Sequence, residues 1–398
     1  MGRADGSSFA EAGEAVQPRR RIPVAIFVSS FESGGTERQM TELLRRLDDR
    51  FEPHAVCFRQ SGACLPQVRE RATSIVEFRT NGFHRPHTWR QMNAFARWCR
   101  AAGIAIVHSC DFYANVFALP AAALARVPVR IGSRRELNPD KSAAKIALQR
   151  AGYSAAHRIV ANSSAAAARL RREGVPLSKI CVIPNGVAMD RFGPRTRPGG
   201  RPRIITVANL RPEKAHEVLI EAATPLLASH PALEFVIVGD GPRRAKLETM
   251  VRDRGLAESF SFLGHRDDVP ALLSSADIFV LPSRSEASPN SVIEAMAAGL
   301  PVVAAATGGL LEIVERDKTG LLVPPADVQA FVDAIDRLLK NRELSDAIGR
   351  AARASIASRY SFDRMVQAFE DLYVSELSRR TAGASSIQEG DAPPVRVG

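Results

Sequence analysis

The sequence predicts an α/β protein built from two Rossmann-like parallel-sheet domains. Three observations lead there. At 398 residues the chain is too long for one ordinary hydrophobic core. Short β-branched apolar runs alternate with helical stretches along most of it, the pattern of right-handed βαβ units on a parallel sheet. The alternation halts once, at Pro194 to Pro202 (PRTRPGGRP), whose Pro/Gly/Arg composition is that of a domain boundary. The expected division is a disordered tail over 1–20, an N-terminal Rossmann-like domain over 21–195 and a second over 200–360. A helix over 361–378 and a disordered tail over 379–398 complete it.

Met1 to Pro18 is polar and rich in Gly, Ala and Glu, a composition that cannot bury a core, and Arg19 to Arg21 reads as a solvated basic cluster. Ile22 to Ser29 is the first buried strand, and FESGGTER opens a helix from about Thr36 to Leu47. Further strands are expected at His54 to Phe58, Ser74 to Phe78, Ile104 to His108, Val129 to Gly132, Arg158 to Ala161 and Ile180 to Ile183. Helices at His87 to Ala101, Phe112 to Ala125 and Ser163 to Glu173 separate them. Beyond the linker, strands are expected at Ile204 to Ala208, Phe235 to Val238, Phe260 to Leu263, Ile278 to Leu281, Val302 to Ala305 and Leu321 to Val323. The last helix, Phe362 to Ser378, carries apolar residues at 362, 365, 366, 369, 372 and 373, a helical stripe.

The most informative stretch is IFVLPSRSEASPNSVIEAMAAGLPVVAAATGGLLE, Ile278 to Glu312. Pro282 closes a buried strand. Ser288 stands where an N-cap belongs and Pro289 where a first helical residue belongs, and Gly299 ends the helix after Ala298. The free N–H groups of Asn290, Ser291 and Val292 then point into a crevice at a strand's carboxyl end, a place suited to anions and sugar hydroxyls. Glu286 and Glu294 frame it. Alone, either is a solvated loop or helix-surface residue; together, in this setting, they ask what they bind.

SEASPNSVIEAMAAGLPVVA followed by GGLLEIV resembles the signature of the retaining glycosyltransferases of family 4, whose fold is GT-B. The resemblance implies that Glu294 holds the ribose of a nucleotide and that Glu286 meets hydroxyls of a donor sugar, since an ionised carboxylate can accept from both hydroxyls of a diol. It also places Ser288, Pro289 and Asn290 at the donor. Ala287-Ser288 stands where the family usually has Gly-Phe.

Arg211 and Lys214, in ANLRPEKAHEVLI, would by themselves be a helix-entry surface pair. A leaving nucleoside diphosphate, however, gains negative charge as the glycosidic bond breaks, and an arginine fork with a lysine point charge can neutralise it without a metal. The stretch is similar to the family's R-x-x-K-G element, with Ala215 in place of Gly, a residue compatible with a helix start. Gly34 and Gly35, followed by Glu37 and Arg38, resemble the family's GG-x-E-R element, which lies near the donor diphosphate and the acceptor. Gly239, in VGDGP, is a tight turn that in the family lines the nucleotide crevice, and His265 and Arg266 fall in its base-binding loop.

On the acceptor side the family often carries His-x-His after the strand that here ends at His108, whereas this chain reads His108-Ser109-Cys110. A thiol is no substitute for imidazole, so Asp111 is the candidate for orienting donor or acceptor. Arg134, Arg135 and Lys141, in GSRRELNPDK, are explained by solvent exposure, or form a cationic wall for an acidic acceptor.

Composition narrows the setting. There is no apolar run long enough to span a bilayer and no signal-peptide core, so a cytoplasmic protein is expected, with the inner face of the plasma membrane as a further site. The five cysteines are scattered without C-x-x-C or His/Cys ligand spacing, the pattern of free thiols without structural zinc. The net charge of +11 admits nucleic acid, an anionic membrane, an anionic substrate or an arginine-rich proteome. Sparse aromatics without basic interleaving argue against nucleic acid and favour the membrane.

The resulting expectation is a metal-independent retaining hexosyl- or N-acetylhexosaminyl-transferase. It needs no cofactor and moves a sugar from a UDP-linked donor to a glycan or lipid-linked acceptor in polysaccharide or glycolipid synthesis. A nucleotide-sugar epimerase or hydrolase of the same fold, and a catalytically idle membrane scaffold, are the competing readings.

Overall fold

The structure, a computed structural model, describes residues 21–32, 34–80, 82, 85–137, 141–193 and 200–388. The expected tail over 1–20 and positions 194–199 of the expected linker lie outside them.

Seven apolar runs form the first sheet: β1 Ile22–Val28, β2 Phe51–Cys57, β3 Ser74–Glu77, β4 Ile106–Ser109, β5 Val129–Arg134, β6 Arg158–Ala161 and β7 Ile180–Val182. Between them run α1 Gly35–Arg46, α2 Leu65–Arg69, α3 Pro86–Ala101, α4 Phe112–Leu124, α5 Ala143–Ser154 and α6 Ser164–Arg172. The order is β3-β2-β1-β4-β5-β6-β7, parallel throughout. β1 shows how one strand serves two cores. Val24, Ile26 and Val28 pack with Met40 and Leu43 of α1, while Ala25 and Phe27 pack with Phe95 of α3 and Phe117 of α4 on the other face.

The second sheet comprises β8 Arg203–Val207, β9 Glu234–Val238, β10 Phe260–Gly264, β11 Ile278–Leu281, β12 Val302–Ala305 and β13 Leu321–Val323, in the order β10-β9-β8-β11-β12-β13 and again parallel. Its helices are α7 His216–Ser229, α8 Arg244–Asp253, α9 Val269–Ser274, α10 Asn290–Ala297, α11 Leu310–Ile313, α12 Val328–Lys340, α13 Arg342–Arg359 and α14 Phe362–Gln388. α7 and α12 cover one face, α10 and α13 the other.

α14 follows the second sheet in the chain but belongs to the first core. Its Phe362, Met365, Val366, Phe369 and Tyr373 are buried with residues of β1, α1 and β4. The tie is polar as well. Tyr373 Oη lies 2.8 Å from His108 Nδ1, and His108 Nε2 lies 2.8 Å from Ser133 Oγ. His108 is fully buried, and desolvation lowers its pKa to about 3, so it is a structural, uncharged imidazole.

Several expectations are corrected. The last helix continues to Gln388, ten residues past its expected end, because RTAGASSIQ contains no Pro and keeps helix-tolerant Ala, Ser and Gln. β2 begins at Phe51, ahead of Pro53, whose carbonyl still accepts from the Thr73 N–H. Arg134 is not explained by solvent exposure. It is buried, pairs with Glu173 at 3.1 Å and donates to Gln149 Oε1 and to the Glu136 and Leu137 carbonyls.

Candidate functional site

Both sheets reverse their strand order once, between β1 and β4 and between β8 and β11. Open α/β sheets bind ligands outside the carboxyl ends of the strands at such switch points. The segments leaving these four strands carry Gly34-Gly35, Asp111, Arg211 with Lys214, and the loop from Pro282 to Pro289.

Two connected cavities occupy the crevice. The first, about 530 Å³, is lined by Arg211, Lys214, Glu286, Ser288 and Arg135 among others, and the second, about 490 Å³, by Gly34, Gly239, His265, Arg266 and Glu294 among others. Gly35, Lys214, Pro289 and Asn290 line both, so they are two ends of one groove.

In the first cavity Lys214 Nζ meets Glu286 Oε1 at 2.5 Å, and Glu286 is 6% exposed. The loop that carries Glu286 is held from behind by Gly308 and Gly309. A Cβ on Gly308 would come 2.0 Å from the Glu286 carbonyl oxygen, and one on Gly309 1.8 Å from that of Ala287, so only glycine permits this approach. Lys214 is aimed by the short 3₁₀ turn Pro212–Lys214, which ends in Ala215 at φ 52°. This corrects the expectation that alanine is harmless there: the left-handed backbone disfavours any Cβ, and the family's glycine has a physical reason.

In the second cavity Glu294 sits inside α10, its side chain 14% exposed. Burial pushes its carboxyl up, with Arg38 and Arg191 opposing. Arg38 of the first lobe pairs with Oε1 at 3.0 Å, while Oε2 is buried without a hydrogen-bond partner. Gly239, at φ 130°, would place a Cβ 2.1 Å from the Ala208 carbonyl oxygen, which keeps the edge of this cavity thin. Arg266 is held bidentately by Asp268 at 2.8 and 2.7 Å, and His265 is largely exposed with Asp267 at 3.8 Å.

The start of α10 differs by one residue from the expectation. Pro289, not Ser288, occupies the N-cap position, and no side chain caps the helix. The Val292 N–H is already used, donating to the Pro289 carbonyl at 3.2 Å, so it is not available to a ligand. The Ser288 carbonyl accepts from Asn185 Nδ2 at 3.1 Å. Asn290 reaches across the groove: its Nδ2 donates to the Gly35 carbonyl at 3.1 Å and its Oδ1 accepts from Asn185 at 2.6 Å.

Asp111 lies elsewhere. It is the N-cap of α4, accepting from the Ala114 N–H at 2.9 Å and the Ser29 N–H at 2.8 Å, and it lines neither cavity. Its short acidic side chain satisfies the backbone where β1 ends and α4 begins. The other twelve candidates line the groove. Arg135 lines it too, half-buried, its Nη2 donating to Asn185 Oδ1 at 2.5 Å, and desolvation lowers its pKa to about 10. Among the described residues no group of three or more His, Cys, Asp or Glu side chains is placed to hold a metal.

Comparison with known proteins accords with this geometry. A family model described as "Glycosyl transferases group 1" matches residues 190–355, and one described as "Glycosyltransferase Family 4" matches residues 33–191. The putative colanic acid biosynthesis glycosyltransferase WcaL of Escherichia coli K12 is 31% identical over 323 residues, covering 72% of this chain and 77% of WcaL. The chain belongs to the GT-B glycosyltransferases related to group 1 and family 4.

Another similar relative of this glycosyltransferase is the GDP-mannose-dependent alpha-(1-6)-phosphatidylinositol monomannoside mannosyltransferase of Mycobacterium tuberculosis, 32% identical over 215 residues. That match covers 49% of the chain and 56% of the relative, so the transferase spans about half the length of such relatives. Anabaena HepE, solved with UDP and glucose, shares the fold at a TM-score of 0.81 and 21% identity, over 89% of this chain and all of HepE. The residues that sequence reasoning missed in the transferase are Gln39, Asn185 and Arg191. Asn185-Gly186 reads as an ordinary turn, and only folding sets it beside α10.

Proposed function

We propose that this glycosyltransferase moves a sugar from a nucleoside-diphosphate sugar, UDP-linked, to a glycan or lipid-linked acceptor, with retention of anomeric configuration and without a metal. The N-terminal lobe, 21–195, takes the acceptor side and the lobe over 200–360 the nucleotide sugar. The observation that carries the reading is Glu294: a partly buried carboxylate with one oxygen satisfied by Arg38 and the other left without a partner, beside the groove shared with Lys214 and Glu286. A ribose hydroxyl supplies the O–H donor that the second oxygen lacks.

The rest follows from charge. Arg211 and Lys214 stand where the departing diphosphate accumulates negative charge, and Glu286 accepts from donor-sugar hydroxyls while holding the lysine in place. The bond from the anomeric carbon to the phosphate oxygen breaks with its electron pair going to the diphosphate. The acceptor hydroxyl attacks from the same face and gives its proton to a departing phosphate oxygen. Glu286 Oε1 is engaged by Lys214, which favours this front-face route over a covalent intermediate on that carboxylate.

WcaL, by its name, acts in colanic acid biosynthesis, and the mycobacterial relative, by its name, is a GDP-mannose-dependent phosphatidylinositol monomannoside mannosyltransferase. HepE was solved with UDP and glucose. These support a polysaccharide or glycolipid product. The test is calorimetric titration with UDP, GDP and ADP. One of them binds the wild type, and Glu294→Gln weakens it by about tenfold, or about 1.4 kcal/mol. Unchanged affinity in the variant removes ribose from Glu294.

A further inference from the structure

The net charge of the protein is not spread over it. Residues 78–182 contain 17 Lys and Arg against 4 Asp and Glu, a surplus of 13 that exceeds the +11 of the whole chain. The remainder is therefore slightly acidic. Of those four acids, Asp111 caps α4, Glu173 is buried against Arg134, Glu136 is held by Lys141 at 3.2 Å, and Asp140 lies outside the described residues.

The same segment holds six of the eight exposed large apolar side chains among the described residues. Four of them lie on neighbouring helices: Trp89 of α3 is 64% exposed, Tyr113 and Leu124 of α4 are 51% and 60%, and Leu148 of α5 is 42%. α4 lies between α3 and α5, so the four share one helical layer, on the face of the first sheet opposite α1 and α14. Arg90 and Arg97 of α3, with Lys145 and Arg150 of α5, are exposed on the same helices.

We infer that the α3–α4–α5 layer is a docking surface for an anionic lipid bilayer. Exposed arginines and lysines without carboxylates are drawn to anionic headgroups, tryptophan and tyrosine settle at the headgroup level, and the leucines reach the acyl boundary. A bilayer is favoured over a nucleic acid because Leu124 and Leu148 gain nothing from a sugar–phosphate backbone. The first turn of α5 also lines the larger cavity through Lys145, so a layer lying on the membrane sets one wall of the groove beside a lipid-borne acceptor. The inference rests on the transferase reading only for that last step.

The test is sedimentation of the full chain with sucrose-loaded vesicles, without donor or acceptor, so that its failure leaves the transferase reading untouched. Vesicles of phosphatidylcholine with about 30% phosphatidylglycerol bind the protein at least about tenfold better than phosphatidylcholine alone. The triple variant Arg90→Glu/Arg97→Glu/Arg150→Glu loses that preference, while Arg252→Glu/Arg254→Glu/Arg350→Glu on the second lobe keeps it. Trp89→Ser/Leu148→Ser, which leaves every charge in place, weakens the binding that survives high salt. Equal binding to both vesicle types, equal loss in the two triple variants, or tighter binding to a single-stranded oligonucleotide than to vesicles overturns the proposal.

Discussion

Lys214 and Ala215 are adjacent, yet their side chains answer to different demands. Lys214 Nζ is held 2.5 Å from Glu286 Oε1, and replacing it by alanine removes the cation proposed to meet the leaving group and leaves a buried carboxylate unpaired. Lys214→Ala is expected to lower kcat by at least about a hundredfold with the melting curve still cooperative; full turnover in a steady-state assay contradicts the role. Ala215 at φ 52° works against the fold. Ala215→Gly relieves the left-handed strain and is expected to stabilise the protein by about 1 kcal/mol in denaturant titration, a small net gain because glycine also loosens the unfolded chain. That Glu286, Glu294, Arg211 and Lys214 line one groove was legible in the sequence because each falls in a stretch of one lobe that resembles a family motif. Arg38 and Asn185 meet Glu294 and Asn290 only through tertiary folding, and no spacing encodes that. Asp111 was misread because an acidic residue at a strand's carboxyl end looks the same whether it binds a ligand or caps the following helix.

At the scale of the element, the turn after β12 binds the two lobes together. Glu312 of α11 accepts from the Ser164 and Ala165 N–H groups at 2.8 and 2.9 Å, so a carboxylate of the second lobe caps α6 of the first. Its charge also meets the positive end of the helix. Glu312→Ala is expected to cost about 1 kcal/mol, within the range of a lost cap, and to speed amide exchange at the start of α6. Unchanged exchange there shows that water replaces the carboxylate without cost. The strands were legible from their apolar runs, and their ends were not: β4 begins at Ile106 rather than Ile104, because the N–H of the equally buried Ile104 donates to the Cys99 carbonyl at the end of α3, at 2.9 Å, and not to the sheet. α14 ran past its expected end because its apolar stripe stops at Leu377 while helix-tolerant residues continue.

For the whole molecule, the joint between β4, β5 and α14 sets an acid limit. His108 is held uncharged with a pKa lowered to about 3 by burial, against about 6.5 in an unfolded chain. Because the folded value is the depressed one, the contribution is present above pH 6.5 and is lost as pH falls towards 3, the unfolded chain taking a proton the folded one refuses. Glutamine can keep both hydrogen bonds without titrating. His108→Gln is therefore expected to gain on the wild type by up to about 1.4 kcal/mol per pH unit between pH 6 and 4 in guanidinium unfolding. A pH-independent difference means that His108 is protonated in place. α14 carries a last consequence, for synthesis. The first lobe leaves the ribosome early, but the side chains that seal one face of its core, from Phe362 to Tyr373, are translated only after the whole second lobe. The lobe made first is thus the lobe finished last, with an apolar surface uncovered while the whole second lobe is translated.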